Sequence, residues 1–162
     1  MSCIPAPLRL CRVTVPADWV DYNGHMSEWC YLLAFGDNAD AFFRYIGIDE
    51  DYRAGGHSLY TVETHLHHRR EVDEGQRLSM TLQVLDSDRK RVHIYHEMFL
   101  DGSDSDVLVA AAEQMLVHVD SRAGKSAPMP GDLADRIAAI QRSHAELAVP
   151  EVVGRPMRIR RG

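Results

Sequence analysis

One long amphipathic stretch, with four alternating runs behind it, constrains this chain more than any other feature. Residues 27–47 carry Trp29, Leu32, Leu33, Gly36, Ala39, Phe43 and Ile46 at helical spacing. Ser27 is placed to cap the start, Glu28 suits the positive end of the helix dipole, and Gly47 is a stop signal. Past this helix the apolar period drops to two. Over 58–70, Val62, Thr64 and Leu66 fall on one face and Glu63, His65 and His67 on the other. Leu78, Met80, Leu82 and Val84 alternate next, and strand-like runs at 92–100 and 107–119 follow. The turn signals between runs are Asp73-Glu74-Gly75, Asp86-Ser87-Asp88 and Asp101-Gly102-Ser103. Connections this short join antiparallel strands and leave no room for crossover helices. A further strand at 8–15, ended by Pro16, precedes the helix. The expected class is α+β, with about five antiparallel strands against one long helix.

At 162 residues the chain fits one domain, large enough to bury a core unaided. Residues 1–130 are read as that domain, and 131–162 as a C-terminal helix with a basic tail. Leu133, Ile137 and Ile140 have helical spacing, and Arg158, Arg160 and Arg161 form a basic tail expected to be solvated and disordered, with contact to a coenzyme A phosphate or a partner as the alternative. Residues 48–57, rich in Asp, Glu and Gly, are read as a polar surface loop, with flexing over a pocket as the alternative. A formal net charge of -6 gives nucleic acid no electrostatic footprint, and it obliges any anionic ligand to find a local basic patch. Cys3, Cys11 and Cys30 form no CxxC pair, as expected of reduced thiols. Residues 1–7 lack a signal-peptide pattern, and no apolar run approaches the ~20 residues of a membrane helix. The expectation is a cytoplasmic protein with neither membrane nor nucleic-acid partners.

Candidate chemistry sits immediately before the helix, in Asp21-Tyr22-Asn23-Gly24-His25-Met26. A carboxylate on a glycine turn stands there beside the unpaired N–H groups of a helix start. Such N–H groups stabilise negative charge developing on a carbonyl oxygen. A nearby carboxylate attacks that carbonyl or activates a water that does. The residues alone also allow Asp21 simply to shape an Asx turn while His25 satisfies a loop carbonyl.

The same run, with Tyr31 and the long helix after it, resembles the signature loop of the hotdog-fold acyl-CoA thioesterases, in particular the 4-hydroxybenzoyl-CoA thioesterase-like branch. The resemblance extends from the first strand to about Pro130. Tyr60-Thr61-Val62-Glu63-Thr64-His65 and Ala112-Glu113-Gln114-Met115-Leu116 are similar to a narrower group, the betainyl-CoA thioesterases associated with carnitine dehydrogenase. It implies a hotdog fold, a sheet wrapped around the central helix. It also implies hydrolysis of a short polar acyl-CoA, with no cofactor beyond the coenzyme A of the substrate. Asp21 would be nucleophile or general base, Gly24 would allow the tight backbone, and His25 would orient the loop. N–H groups near Ser27 and Glu28 would polarise the thioester carbonyl. The family site lies at a subunit interface, implying a homodimer or homotetramer.

Other constellations bear on the substrate. Trp19, Tyr22, Trp29 and Tyr60 are aromatics available to a quaternary ammonium through cation–π contacts, with Glu63 a possible charge partner. His65 is a candidate pocket residue, and Arg89, Lys90 and Arg91 are candidate ligands for coenzyme A phosphates. The alternative for that cluster is a charged hairpin end that discourages edge pairing. Glu63, His65 and His67 share a strand face but lack a distant partner set, so no metal is assigned. Two rival functions remain: a hotdog enoyl-CoA hydratase, whose usual residue placement differs from Asp21 and His25, and a non-catalytic acyl-CoA-binding protein.

Overall fold

The computed structural model describes residues 3–101 and 107–161. The chain forms β1 (Leu8–Thr14), a 3-10 turn (Ala17–Trp19), α1 (Glu28–Ile46), α2 (Glu50–Ala54), β2 (His57–His68), β3 (Arg77–Ser87), β4 (Arg91–Leu100), β5 (Val107–Asp120), β6 (Lys125–Ser126) and α3 (Gly131–Ser143). One antiparallel sheet runs in the order β1-β3-β4-β5-β2, and the two-residue β6 pairs with β5. It curls around α1 in the hotdog arrangement. Of the turn signal after β4, Gly102 and Ser103 lie outside the described residues.

The strands after the helix do not all meander. β3, β4 and β5 are hairpin neighbours, but β2 skips β3 and pairs with β5 from His57↔Asp120 to His68↔Ala110. Residues 69–76 are therefore a crossing rather than a hairpin turn. They pass the mouth of the sheet, where Met26 N–H donates to Val72 O (2.7 Å) and Gly75 N–H to Val15 O (2.8 Å). Val72, fully buried, anchors the crossing against the loop before α1.

The buried face of α1 also differs from the expected stripe. Cys30, Tyr31, Ala34, Phe35, Asn38, Ala39, Phe42 and Ile46 point inward, whereas Trp29, Leu32 and Leu33 stay 62%, 45% and 41% exposed. This helix is apolar around most of its circumference, so periodicity alone does not select the face. Phe35 and Phe42 are fully buried, and such burial stabilises by roughly 1.5–3 kcal/mol per side chain.

Between the two apolar clusters lies a polar belt. Asn38 Nδ2 donates to Thr81 O (3.3 Å) and to His96 Nδ1 (2.9 Å); His96 Nε2 donates to Gln114 Oε1 (3.0 Å), and Gln114 Nε2 to Thr64 Oγ1 (3.3 Å). Burial of His96 lowers its pKa to about 4, which keeps the ring neutral and suits this donor order.

Residues 48–57, expected as a surface loop, carry the short helix α2 and are anchored to the core. Asp49 caps α2 by accepting from Tyr52 N–H (2.9 Å), Ile48 is fully buried, and Tyr52 Oη donates to His118 Nε2 (2.6 Å). α3 places Leu133, Ile137 and Ile140 in the same core as Phe42 and Leu82. The C-terminal tail is docked along part of its length. Val152 packs on Tyr95 and Ala111 of the sheet's outer face, and Gly154 N–H donates to Glu113 Oε2 (3.0 Å).

Candidate active site

The loop before α1 is closed by backbone bonds that its sequence dictates. Val20 and Met26 form an isolated antiparallel bridge, Asp21 N–H donates to His25 O (3.0 Å), and Gly24 N–H donates to Asp21 O (3.0 Å). Gly24 has φ of 82°, a left-handed conformation that a side chain would strain. The Asp21 carboxylate accepts from Asn23 N–H (2.8 Å), an Asx turn, and Asp21 is not among the residues lining the neighbouring cleft. The Asx-turn geometry and a chemical role are compatible, because only Oδ1 is engaged.

The helix start is uncapped by any side chain. Ser27 has extended backbone but makes no side-chain cap, and its own N–H donates to Trp19 O (2.8 Å). Among the described residues the N–H groups of Glu28 and Trp29 find no hydrogen-bond partner. Two free donors at a helix N-terminus are an anion- or oxyanion-binding feature. His25 Nδ1 sits 2.9 Å from Asp73 Oδ1, which ties the loop to the 69–76 crossing. Sequence spacing offered no sign of Asp73, because the crossing itself was not legible.

Beside this loop is a cleft of about 400 Å³ lined by His25, Met26, Glu28, Tyr31, His68, Arg69, Arg70 and Glu71. Tyr31 Oη donates to Arg70 O (3.0 Å), and its ring meets His68 edge-on at 4.8 Å. Burial, with Glu71 nearby, raises the Tyr31 pKa and keeps the phenol protonated. His68, Arg69, Arg70 and Glu71 were missed by sequence reading, since they meet α1 only after β2 has crossed to the far edge.

The other candidates are scattered within one chain. Trp19 packs against the core under the 3-10 turn, and Tyr22 is 97% exposed. Tyr60 lies eight residues before His68 on β2, roughly 26 Å away along an extended strand. His65 is on the outer face of the sheet, opposite α1, with its Nε2 3.0 Å from Glu63 Oε1. Thus Tyr60 joins no cage with the aromatics of the loop within one chain. Arg89, Lys90 and Arg91 occupy the β3–β4 hairpin, at the far end of β3 from the loop, roughly 33 Å along an extended strand. Asp88 caps that hairpin and accepts from Arg91 Nε (2.8 Å), which holds the Asp88 carboxyl at about 2. Lys90 Nζ donates to Ser126 Oγ (3.3 Å). Val62, read as alternating with Thr64, instead occupies a bulge between Thr61 and Glu63 and is 60% exposed. Among the described residues no three His, Cys, Asp or Glu side chains are grouped to hold a metal ion. No helix among them is long and apolar enough to cross a membrane.

A sheet curled around one helix, with a carboxylate turn opening at the helix start, defines the hotdog class of thioesterase-like proteins. Residues 15–137 match the thioesterase-like superfamily, and the chain belongs to it. It is 49% identical over 149 residues to an L-carnitine dehydrogenase/betainyl-CoA thioesterase of Rhizobium meliloti, covering 92% of this chain but only 30% of that relative's length. It is 46% identical over 139 residues to a betainyl-CoA thioesterase of Pseudomonas aeruginosa, covering 85% of this chain and 86% of that protein. A crystal structure from Pseudomonas putida KT2440, described as a candidate thioesterase, superposes with a TM-score of 0.83 at 38% identity, over 98% of this chain and 99% of that one. The Staphylococcus aureus protein SAV2348, solved with CoA, shares the fold at TM-score 0.87 and 23% identity, over 98% of this chain and all of the other.

Proposed function

We propose that this protein is an acyl-CoA thioesterase whose substrate is betainyl-CoA. The observation that carries the reading is the Asp21 turn closing directly into an uncapped helix start, in a chain belonging to the thioesterase-like superfamily. The thioester carbonyl sits against the Glu28 and Trp29 N–H groups, which stabilise the oxyanion. Asp21 attacks the acyl carbon, or takes a proton from a water that attacks it. The carbon–sulfur bond then breaks and the thiolate leaves, taking up a proton as coenzyme A. On the nucleophilic route a water then cleaves the Asp21 mixed anhydride, releasing the acid and restoring the carboxylate. Relatives named for betainyl-CoA support the acyl group, as does the cleft beside the loop. Its Glu28 and Glu71 carboxylates suit a quaternary ammonium, against the opposing charges of Arg69 and Arg70 in the same lining.

The chain acts as at least a dimer in this reading. Trp29, Leu32 and Leu33 on α1, with Tyr60 and Val62 on the edge strand β2, are large apolar side chains left exposed by the single chain. Trp29 and the edge-strand residues of a second subunit would complete the cleft. The deciding experiment is thiol release from a panel of acyl-CoA thioesters that includes betainyl-CoA and its neutral 3,3-dimethylbutanoyl analogue. A higher kcat/KM for betainyl-CoA is expected. Equal values remove the betaine reading, and no hydrolysis of any member removes the enzyme.

A further inference from the structure

The docked C-terminal tail builds a second feature that the reaction centre does not use. Arg155, Arg158 and Arg160 line one side of a groove of about 380 Å³, and Thr64, His65 and His67 of β2 line the other. The tail is held there by Val152 on the sheet and by Gly154 on Glu113. In a chain of net charge -6 this groove has cationic side chains and no carboxylate in its lining. The nearest acids are already engaged. Glu113 takes His93 Nε2 (2.7 Å) and Gly154 N–H, while Glu63 takes His65 Nε2 (3.0 Å). Among the described residues the three tail arginines enter no ion pair with a carboxylate; the ion pairs use other arginines. His67 reports the local field. Its Nε2 is buried without a partner among the described residues. Its pKa is pushed down by burial and then by the charges of Arg155, Arg69 and His65, against a weaker opposing pull from Glu113.

We propose that this tail groove binds the phosphate groups at the nucleotide end of the acyl-CoA substrate. The placement follows from β2. His68, Arg69 and Arg70 line the cleft beside the Asp21 loop, and the groove begins one residue earlier on the same edge strand. Three residues of extended strand between His65 and His68 span roughly 10 Å, so the two depressions are neighbours along one edge. An elongated thioester laid along β2 has its acyl end at the helix start and its pantetheine arm past His68. Its phosphates then fall among the arginines. Guanidinium forks bind phosphate oxygens bidentately, and the unpaired His67 nitrogen offers one more polar group to an anion. In this arrangement the Arg89–Arg91 hairpin, at the other end of the sheet, is not the phosphate site of the same chain.

The inference rests on the acyl-CoA reading but is separable from it. Titration calorimetry with adenosine 3′,5′-bisphosphate requires no turnover. The wild-type chain is expected to bind it, and Arg155→Ala/Arg158→Ala/Arg160→Ala is expected to lose about tenfold or more in affinity. Circular dichroism establishes that the variant is folded. Arg142→Ala, on α3 away from the groove, is the control for bulk charge and is expected to bind as wild type. In turnover, the ratio of kcat/KM on the CoA thioester to that on the matching pantetheine thioester falls by a similar factor in the triple variant. Absence of binding by the wild type, equal binding by the triple variant, or equal loss in the Arg142 control overturns the site. Inorganic phosphate binding as tightly as the bisphosphate also overturns it, reducing the groove to a nonspecific anion patch. Bisphosphate binding without hydrolysis of any thioester leaves the site standing and removes only the catalytic reading.

Discussion

His96 makes the fold sensitive to acid, and the size of the effect is readable from its surroundings. The ring is fully buried in the belt between Asn38 and Gln114, and burial lowers its pKa from the usual 6.5 to about 4. Between those two values the unfolded chain binds a proton at this position and the folded chain does not. Stability is therefore unaffected above about pH 6.5 and falls as pH drops toward 4. A shift of this size integrates to about 3 kcal/mol, a large fraction of the stability of a small domain. His67, His118 and His144 are also held low by burial and add losses of the same sign. Comparison with His96→Gln isolates the one ring. The variant is expected to be less stable at neutral pH by about 1–3 kcal/mol, because a buried hydrogen-bonded group has been replaced. Its loss of stability between about pH 7 and pH 4.5 is expected to be smaller than that of the wild type by about 2–3 kcal/mol. Urea unfolding followed by far-ultraviolet circular dichroism at several pH values measures both. A variant whose stability falls as steeply as the wild type would refute a neutral, buried His96.

Asp21→Asn is expected to lose roughly 10²–10⁴-fold in kcat for thioester hydrolysis. Its melting temperature should barely change, because Asn Oδ1 still accepts from Asn23 N–H; activity within a few-fold of wild type removes Asp21 from the chemistry. Phe42→Ala empties a fully buried site and is expected to cost about 3–5 kcal/mol in urea unfolding, with a smaller cost indicating that the core collapses around it. Sedimentation at micromolar concentration should give at least twice the 18.3 kDa chain mass. Trp29→Glu should shift that assembly toward monomer, and a wild-type monomer would remove the shared-interface cleft.

Much of the architecture was legible from local patterns. The helix after the glycine turn, the five main strands and the C-terminal helix each follow from period, turn residues and caps, which act over a few neighbouring residues. The turn itself was legible for the same reason. Asp21, Asn23 and Gly24 bond to one another, so six consecutive residues determine that geometry without help from the rest of the chain. The resemblance of this run to a thioesterase loop carried the family reading further than chemistry alone could.

Tertiary structure decided the rest, wherever distant segments compete for the same surface. An α1 apolar on most sides can bury either of two stripes; the curl of the sheet selected Phe35 and Phe42 and left Trp29, Leu32 and Leu33 outside. Short connections alone suggested consecutive strands pairing in order. β2 instead crossed to β5, and the buried Val72 seats the 69–76 segment that makes the crossing. That crossing delivers Asp73 to His25 and sets His68, Arg69 and Arg70 beside the helix start, so the cleft exists only in the folded chain. The tail arginines follow the same rule. As a charged sequence they belong in solvent; Val152 and Gly154, docked on the outer face, bring the exposed arginines after them beside β2. Period and turn chemistry specify each element, but which elements become neighbours depends on burying all their apolar faces at once, and the site is assembled from those neighbours.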